Sequence, residues 1–237
     1  MPRPCYRRVI LKISGEAFLG KEKTGMDKQA ILHIAKSIQE IHSLGLQIGI
    51  VVGGGNIFRG TQAEAFGFER TPADQIGMLA TVINGIVLNQ ALSTLKISSQ
   101  VMSAVECNSI VEPYHWKDAL RALDQGKVVI FAGGTGNPYF TTDTAAALRA
   151  SEMKADVVLK ATKVDGIYSD DPFKNKKAKR FSKISFADAL AKNLKVMDGT
   201  AFALCQENNI PIYIFNLFEK NSLLDAVCER KKGSLVS

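Results

Sequence analysis

The stretch Ile48-Gly49-Ile50-Val51-Val52-Gly53-Gly54-Gly55-Asn56 (IGIVVGGGN) joins an apolar run to three consecutive glycines. The run has the length and composition of a buried β-strand. Glycines at the end of a strand allow backbone N–H groups to approach an anion closely, and a following helix adds the positive end of its dipole. The stretch therefore predicts a strand that leads into a phosphate-binding turn.

The same arrangement occurs at two other places in the chain. Lys12-Ile13-Ser14-Gly15 follows the apolar run 9–11, and Gly133-Gly134-Thr135-Gly136-Asn137 follows the run 128–132. Because ligands of parallel α/β sheets bind beyond the carboxyl ends of the strands, we expect the three turns to converge on one cleft. Together with Lys12 and Arg59 they predict a site that holds several phosphates.

Strand and helix patterns alternate along the chain. This alternation predicts an α/β fold, a three-layer α/β/α sandwich around a mainly parallel sheet, in a single domain over residues 1–237. Asp27 is expected to cap a helix, and Thr71-Pro72 to open a long helix that ends near Leu95. A helix is expected over 142–153 with Thr142 as a candidate cap, and a short edge strand over 234–236.

Composition is typical of a globular protein, with 46% hydrophobic and 22% charged residues. No apolar run reaches the roughly 18 residues of a membrane span, and no signal peptide is expected. The four cysteines are scattered, which predicts reduced thiols, a cytoplasmic location and no metal site in the protein itself.

The formal net charge is +7, and residues 174–183 contain six basic residues and no acidic one. Such a run is typical of a solvated loop, although a position near nucleotide phosphates is also compatible with it. Nucleic-acid binding is disfavoured because Phe181 is the run's only aromatic residue.

Two further stretches carry polar side chains at strand ends. The stretch 135–143 (TGNPYFTTD) offers backbone donors and short polar side chains just before a predicted helix; Asp143 would orient Lys12 or position magnesium. In the stretch 160–172, Tyr168 is suited to stacking on a base, and Thr162 or Asp171 to binding a sugar or base edge.

Asp74 is either a hydroxyl acceptor for a ribose or an acid that the helix dipole favours. His33, His42 and His115 lie on predicted helices away from these loops, which argues against a histidine acid–base mechanism.

Five of these segments together resemble the amino acid kinase family, and within it the bacterial enzymes that phosphorylate UMP. They are KISGEA (12–17), VVGGGNIFRG (51–60), ADQIGMLATVING (73–85), GTGNPYFTTD (134–143) and DVVLKATKVDGIYSDDP (156–172). The resemblance covers nearly the whole chain. It implies transfer of the γ-phosphoryl group of ATP to UMP with Mg²⁺, in a cytoplasmic homohexamer, with the acceptor side mainly in 6–150 and the ATP side in 151–237.

The resemblance also implies roles for individual residues. The charged set nearest the chemistry would be Lys12, Arg59 and Asp143. The residues that would contact ATP are Lys12, Ile13, Ser14, Gly15, Gly55, Arg59, Thr162, Tyr168 and Asp171. Those that would contact UMP are Gly54, Asp74, Thr135, Gly136, Asn137, Pro138, Tyr139, Phe140, Thr141 and Thr142.

The resemblance implies inhibition by UTP and activation by GTP. The segment 20–25 matches a region linked to the GTP response. Some relatives, however, have basic residues where this chain has Asn89, Ser93 and Gln100, so we expect weak GTP activation.

Two other interpretations remain open from the residues alone. A kinase of the same fold that phosphorylates a carboxylate would need only a small acceptor pocket. A non-catalytic nucleotide sensor or nucleic-acid-binding protein would use the basic run, and would be expected to lack Lys12 or Arg59, which are both present.

Overall fold

The structure is a computed structural model that describes residues 3–59, 63, 65–170, 174–175, 177–194, 196–228 and 232–237. Within this part of the chain, nine strands form one sheet in the order β4-β3-β5-β2-β1-β6-β10-β11-β9, and two form a small hairpin, β7-β8. The strands are β1 (Arg8–Ile13), β2 (Gln47–Val52), β3 (Ser99–Ser103), β4 (Glu112–Pro113), β5 (Val128–Ala132), β6 (Val157–Thr162), β7 (Ile167–Tyr168), β8 (Arg180–Phe181), β9 (Lys183–Ile184), β10 (Ile212–Asn216) and β11 (Ser234–Val236).

The sheet is mainly parallel, and its central strands end in register. In β1, Ile13 lies opposite Val52 of β2 on one side and Ala161 of β6 on the other. β2 also pairs in parallel with β5, whereas β10 and β11 are antiparallel. The turns that follow β1, β2, β5 and β6 therefore leave the sheet at the same edge, as the sequence predicted.

Helices cover both faces of the sheet. They are α1 (Lys28–His42), α2 (Arg70–Thr94), α3 (Trp116–Asp124), α4 (Thr142–Glu152), α5 (Phe186–Ala191), α6 (Gly199–Glu207) and α7 (Ser222–Cys228), with a 3₁₀ turn over Gly15–Phe18. One core cluster joins the sheet to α1, α2 and α7, and a second joins its other face to α3, α4, α5 and α6. The predicted three-layer α/β/α arrangement is confirmed.

The first helix illustrates how local sequence and packing agree. The Asp27 carboxylate accepts a hydrogen bond from the backbone N–H of Ala30 (2.7 Å), which satisfies a donor that the helix itself leaves unpaired. Ile34, Ile38 and Ile41 then recur at helical spacing and are fully or almost fully buried.

Three local predictions are wrong. α2 begins at Arg70 after Glu69, which makes no side-chain cap bond, so Thr71 lies inside the helix; Pro72 is tolerated there because the first N–H groups have no helical partner. The cap of α4 is Thr141, whose hydroxyl accepts from the N–H of Asp143 (3.0 Å). β11 is not an edge strand, since it pairs with β10 and with the two-residue strand β9, which is too short to recognise from a sequence pattern.

Helix α2 is long and apolar enough to cross a bilayer by length and composition, with a mean hydropathy of 1.4 over its most apolar window. Yet 44% of that window is buried inside the protein, where Val82, Leu88 and Leu92 belong to the core. Leu79 and Ile83, about half exposed, mark an outward apolar face. The composition of α2 is therefore explained in large part by its packing on the sheet.

Candidate active site

Three charged side chains meet at the carboxyl edge of the sheet. The Asp143 carboxylate, on the first turn of α4, lies 2.8 Å from Nζ of Lys12 and 2.6 Å from Nζ of Lys160. Side-chain exposure is only 11% for Lys12, 13% for Asp143 and 16% for Lys160. We call these three residues the charged centre.

The strand register explains why the centre contains two cations. Lys12 and Lys160 are paired residues on the neighbouring strands β1 and β6, so their side chains project from the same face. Two adjacent ammonium groups repel each other, and an anion between them offsets this repulsion. The N-terminus of α4 supplies that anion as Asp143, and the carbonyl of Val196 accepts a further hydrogen bond from Lys160 (2.7 Å).

Burial and charge act in opposite directions on these groups. Burial by itself would raise the pKa of Asp143, but the ammonium groups of Lys12 and Lys160 outweigh it, and the pKa lies below its ordinary value. The pKa of Lys160 is lowered, mainly because burial disfavours its charged form, and Asp143 only partly compensates. The Asp143 carboxylate is therefore ionised at neutral pH, and the buried Lys160 is easier to deprotonate than an exposed lysine.

A first cleft of about 640 Å³ opens beside the charged centre. It lies between the glycine turn after β2, the start of α2 and the loop that precedes α4. Its lining includes Gly54, Gly55, Arg59, Asp74, Thr81, Thr135, Asn137, Phe140, Thr141 and Thr142. This cleft is mostly walled by neutral polar and apolar groups, and its charged lining residues are Arg59, Arg70 and Asp74.

The three glycines after β2 have different roles. A Cβ on Gly53 would lie 2.7 Å from the backbone N of Gly15, and one on Gly54 would lie 2.7 Å from the carbonyl oxygen of Gly77 in α2. Only at Gly55 would an added Cβ meet nothing within 4 Å. Close packing of the backbone therefore requires glycine at 53 and 54, so the interpretation that all three glycines serve a ligand was incomplete.

Asp74 faces the first cleft and also braces its wall. The Oδ2 atom of Asp74 accepts hydrogen bonds from Nε of Arg70 and from the backbone N–H of Tyr139, both at 2.7 Å. Tyr139 has a positive φ of 73°, which is rare for a residue with a side chain, and its own ring is exposed beneath the Arg70 guanidinium. Asp74 thus holds the 135–142 loop in a bent conformation.

Asp198, at the N-terminus of α6, anchors the end of that loop. Its carboxylate accepts hydrogen bonds from the hydroxyl groups of Thr141 and Thr144, the latter at 3.0 and 3.1 Å, and caps α6 through the N–H of Ala201 at 2.9 Å. The first turn of α4, which carries Asp143, is therefore tied to α6.

Two further clefts are lined in part by the lysines of the charged centre. The second, of about 340 Å³, is lined by Lys12, Ser14, Glu16, Ala17, Lys160, Ala161, Thr162, Lys163, Val164, Leu217 and Phe218. The third, of about 640 Å³, is lined mainly by the chain that follows β6, including Gly166, Ile167, Tyr168, Ser169 and Asp170, together with Lys192 and Asn193. Lys160, Thr162 and Val164 line both, so these two clefts are neighbours.

Glu16 connects the cations at the boundary between the clefts. One carboxylate oxygen lies 3.2 Å from the Arg59 guanidinium, and the other lies 2.8 Å from Nζ of Lys163. The hydrogen bond from Lys163, together with the charge of both cations, lowers the pKa of Glu16. Arg59 also donates from Nε to the carbonyl of Gly55 (2.8 Å), which fixes it beside the glycine turn.

Comparison with known proteins identifies the family to which this arrangement belongs. Residues 7–216 match the family model described as "Amino acid kinase family". The chain belongs to the amino acid kinase family. The expectation drawn from the five sequence segments is thereby confirmed.

Similar proteins agree with this assignment over nearly the full chain. The chain is 55% identical over 233 residues to a protein named uridylate kinase from Protochlamydia amoebophila (strain UWE25), covering 97% of this chain and 92% of that protein. The crystal structure of UMP kinase from Ureaplasma parvum matches with a TM-score of 0.94 at 39% identity, covering 100% of both chains. The structure of UMP kinase from Bacillus anthracis matches with a TM-score of 0.95 at 39% identity, covering 99% of this chain and 97% of that one.

Most of the residues predicted for the site lie around these clefts of the amino acid kinase fold. Within the 135–142 loop, Thr135, Asn137 and Phe140 to Thr142 line the first cleft, while Gly136 shapes the turn with a φ of 84° and Pro138 precedes the exposed Tyr139. Ile13 ends β1 with its side chain in the core, so only its backbone is available to a ligand. Asp171 lies outside the described residues.

Sequence reasoning missed the importance of Lys160 and Asp198. Lys160 follows three apolar residues of β6, as Lys12 follows three apolar residues of β1, and that shared feature was available in the sequence. Asp198 is indistinguishable from an ordinary helix cap until α6 is packed against α4. The expectation for the histidines holds only in part. His42 on α1 contacts the carbonyl of Gly126, and His115 lies just before α3, 3.4 Å from Asp118. His33, however, contacts the carbonyl of Leu217, a residue that lines the second cleft.

Proposed function

We propose that this chain transfers the γ-phosphoryl group of ATP to UMP, giving ADP and UDP. The observation that carries the proposal is the buried charged centre of Lys12, Asp143 and Lys160, which lines the second cleft through its two lysines and adjoins the first cleft at Thr142, the residue before Asp143. Such a position suits a phosphoryl group that passes between two nucleotides, because transfer needs positioning and charge neutralisation. The three matches above, one to a uridylate kinase and two to UMP kinases, support the choice of UMP as acceptor.

We assign the first cleft to UMP. Its volume of about 640 Å³ is that of a site for a nucleotide-sized ligand, which disfavours the alternative of a small carboxylate acceptor. In this proposal Asp74 accepts a ribose hydroxyl, Gly54 and Arg59 face the phosphate, and the polar loop surrounds the base. The residues involved are those predicted from sequence: Gly54, Asp74, Thr135, Gly136, Asn137, Pro138, Tyr139, Phe140, Thr141 and Thr142.

We assign the second and third clefts to ATP, so that the acceptor side lies mainly in 6–150 and the donor side in 151–237. Lys12, Ser14 and Gly15 would hold the phosphates at the mouth of β1, where the 3₁₀ turn presents backbone N–H groups. Gly55, Arg59, Thr162 and Tyr168 would complete the contacts. Tyr168 is held by a hydrogen bond from its hydroxyl to Asp165 (2.6 Å), which places its ring on the wall of the third cleft.

The mechanism that we propose needs no general base. A phosphate monoester has a second pKa near 6, so the attacking oxygen of UMP is already mostly ionised at pH 7. Lys12 and Lys160 then neutralise charge on the transferring group, and Asp143 holds both ammonium groups in place through its 2.8 and 2.6 Å contacts. Arg59 contributes a further cation from the acceptor side.

We propose Mg²⁺ as the divalent metal that accompanies ATP. In the described ranges no group of three or more His, Cys, Asp or Glu is arranged to hold a metal, and Asp143 already contacts two lysines. The metal would therefore be held mainly by nucleotide phosphates, which is usual for Mg²⁺. When bound, it neutralises charge on the β- and γ-phosphate oxygens.

We further propose a cytoplasmic homohexamer that UTP inhibits and that GTP activates weakly. The outward apolar face of α2 supports assembly, since Leu79 and Ile83 are about half exposed in the single chain. Asn89 and Gln100 are neutral and therefore offer no cation to an effector phosphate. Their side chains are also engaged within the chain, since Asn89 accepts a hydrogen bond from Ser99 and Gln100 donates one to Glu112.

A coupled assay tests the proposed function. The protein is supplied with ATP and Mg²⁺, and with UMP, CMP, glutamate or aspartate as acceptor. We expect rapid ADP formation with UMP and at most slow formation with the other three. Preferred turnover of glutamate or aspartate would support the carboxylate-kinase alternative, and no turnover of any acceptor would support a non-catalytic nucleotide-binding protein.

A further inference from the structure

We propose that Glu16 is a built-in counter-ion for the phosphate site: it pairs with Arg59 and Lys163 when nucleotides are absent and gives them up to nucleotide phosphates. This inference rests on the proposed function and adds a residue that controls affinity for both substrates. Its basis is the position of one carboxylate between two cations that belong to different clefts.

The two contacts of Glu16 reach to opposite sides of the site. Arg59, 3.2 Å away, lines the first cleft, and Lys163, 2.8 Å away, lines the second. Glu16 itself lines the second cleft, two residues after Ser14 and one after Gly15. A phosphate that reaches either cation must therefore approach a carboxylate that is already there.

The position of Glu16 is determined by the backbone around it. It lies in the 3₁₀ turn Gly15–Phe18, where Ala17 and Phe18 are buried and the Ser14 hydroxyl accepts from the N–H of Glu16 (3.3 Å). The side chain is 36% exposed, whereas those of Arg59 and Lys163 are 45% and 65% exposed. The carboxylate is thus attached to a turn that the backbone defines, and both of its partners are more accessible to a ligand than it is.

The charge balance indicates what the carboxylate does. The charged centre has two cations and one anion, and Glu16 with Arg59 and Lys163 has the same ratio. A triphosphate and a monophosphate that meet here bring several negative charges, all of which the Glu16 carboxylate repels. Its presence therefore weakens nucleotide binding, and it is available to pair again with both cations when products leave.

Glu16→Gln separates charge from shape. The amide keeps the length of the side chain but removes the repulsion, so both kinds of nucleotide should bind more tightly. We expect the Kd values of UMP alone and of Mg²⁺–ADP alone, measured by calorimetry in low-salt buffer, each to fall by about three- to fivefold, the upper end of the range for a partly exposed ion contact. Added KCl should shrink the difference because these charges are accessible to screening.

Two matched variants complete the experiment. Glu40→Gln removes the same charge from an exposed position on α1, and should leave both Kd values within about twofold of the wild type. Glu16→Asp keeps the charge on a shorter side chain, and should also stay within about twofold. Melting temperatures of all variants establish that they are folded.

The possible results have distinct meanings. Weaker or unchanged binding in Glu16→Gln, or equal tightening in Glu16→Asp, would overturn the counter-ion proposal, because binding would then depend on geometry rather than charge. Failure of the wild-type protein to bind either UMP or Mg²⁺–ADP would instead refute the proposed function. The expected result is that Glu16→Gln tightens the binding of both nucleotides and that Glu40→Gln does not.

Discussion

Replacing Lys160 by methionine removes one cation from the charged centre while nearly preserving side-chain length. The variant loses the contacts of Nζ with Asp143 (2.6 Å) and with the carbonyl of Val196 (2.7 Å). Lys12 still pairs with Asp143, so the centre keeps one cation and one anion. The substitution therefore isolates what the second cation contributes to phosphoryl transfer.

The expected catalytic effect is large. Lys160 is 16% exposed and is held from two directions, so its charge is preorganised and poorly screened. Loss of one preorganised donor at a site of developing charge typically lowers kcat by about 10²–10³-fold, or about 2.7–4 kcal/mol. We expect a decrease of this size in kcat, with the KM for UMP changed much less because Lys160 faces the donor clefts.

The expected effect on folding is small because two contributions oppose each other. Leaving the Val196 carbonyl without its donor costs about 1–3 kcal/mol. Burial, however, lowers the pKa of Lys160, so the folded protein already disfavours this ammonium group, and an apolar side chain removes that penalty. We expect the Tm to change by no more than a few degrees, which allows catalysis and folding to be distinguished.

The pH dependence gives a second readout from the same residue. The active form of Lys160 is protonated, and its pKa is lowered, so kcat of the wild type should be constant just above neutral pH, where UMP is already ionised, and fall as pH rises through the pKa of Lys160. The arginine of the Lys160→Arg variant keeps its charge throughout this range. The fall of kcat at alkaline pH should therefore disappear in this variant or move to higher pH.

The assay compares kcat, both KM values and Tm for the wild type, Lys160→Met and Lys36→Met, a substitution of an exposed lysine on α1. The control should match the wild type in every quantity. A Lys160→Met enzyme with kcat within about fivefold of the wild type and an unchanged Tm would refute the assignment of Lys160 to charge neutralisation.

Three other predictions concern residues around the same clefts. Lys12→Ala should lower kcat by at least about 10²-fold, and near-normal turnover would remove Lys12 from the chemistry. Asp74→Asn should raise the KM for UMP by about tenfold with little effect on the KM for ATP, since Asp74 lines the first cleft and neither the second nor the third; an equal rise in both would contradict its assignment to UMP. GTP should change the initial rate by less than about twofold, and activation of several-fold would contradict the argument from Asn89, Ser93 and Gln100.

The fold was largely predictable because its signals are local. Apolar runs that end in glycine turns identify parallel strands, and Asp27 with Ile34 and Ile38 identifies an amphipathic helix without any knowledge of the rest of the chain. Capping was less predictable, since Thr141 and Thr142 are equally suitable caps, and only the backbone conformation distinguishes them.

The sequence by itself determined that glycine turns, Lys12 and Asp143 would gather at one edge of a parallel sheet, because in-register strands bring their carboxyl ends together. Only the tertiary structure decided which side chains touch there. Lys160 lies opposite Lys12 because β6 pairs with β1, although the two residues are far apart in the chain. Asp143 reaches both lysines because α4 packs over these strands. Glu16 meets Lys163 because the two residues follow the paired strands β1 and β6. Ion pairs between distant segments depend on strand order and register, which no local pattern encodes.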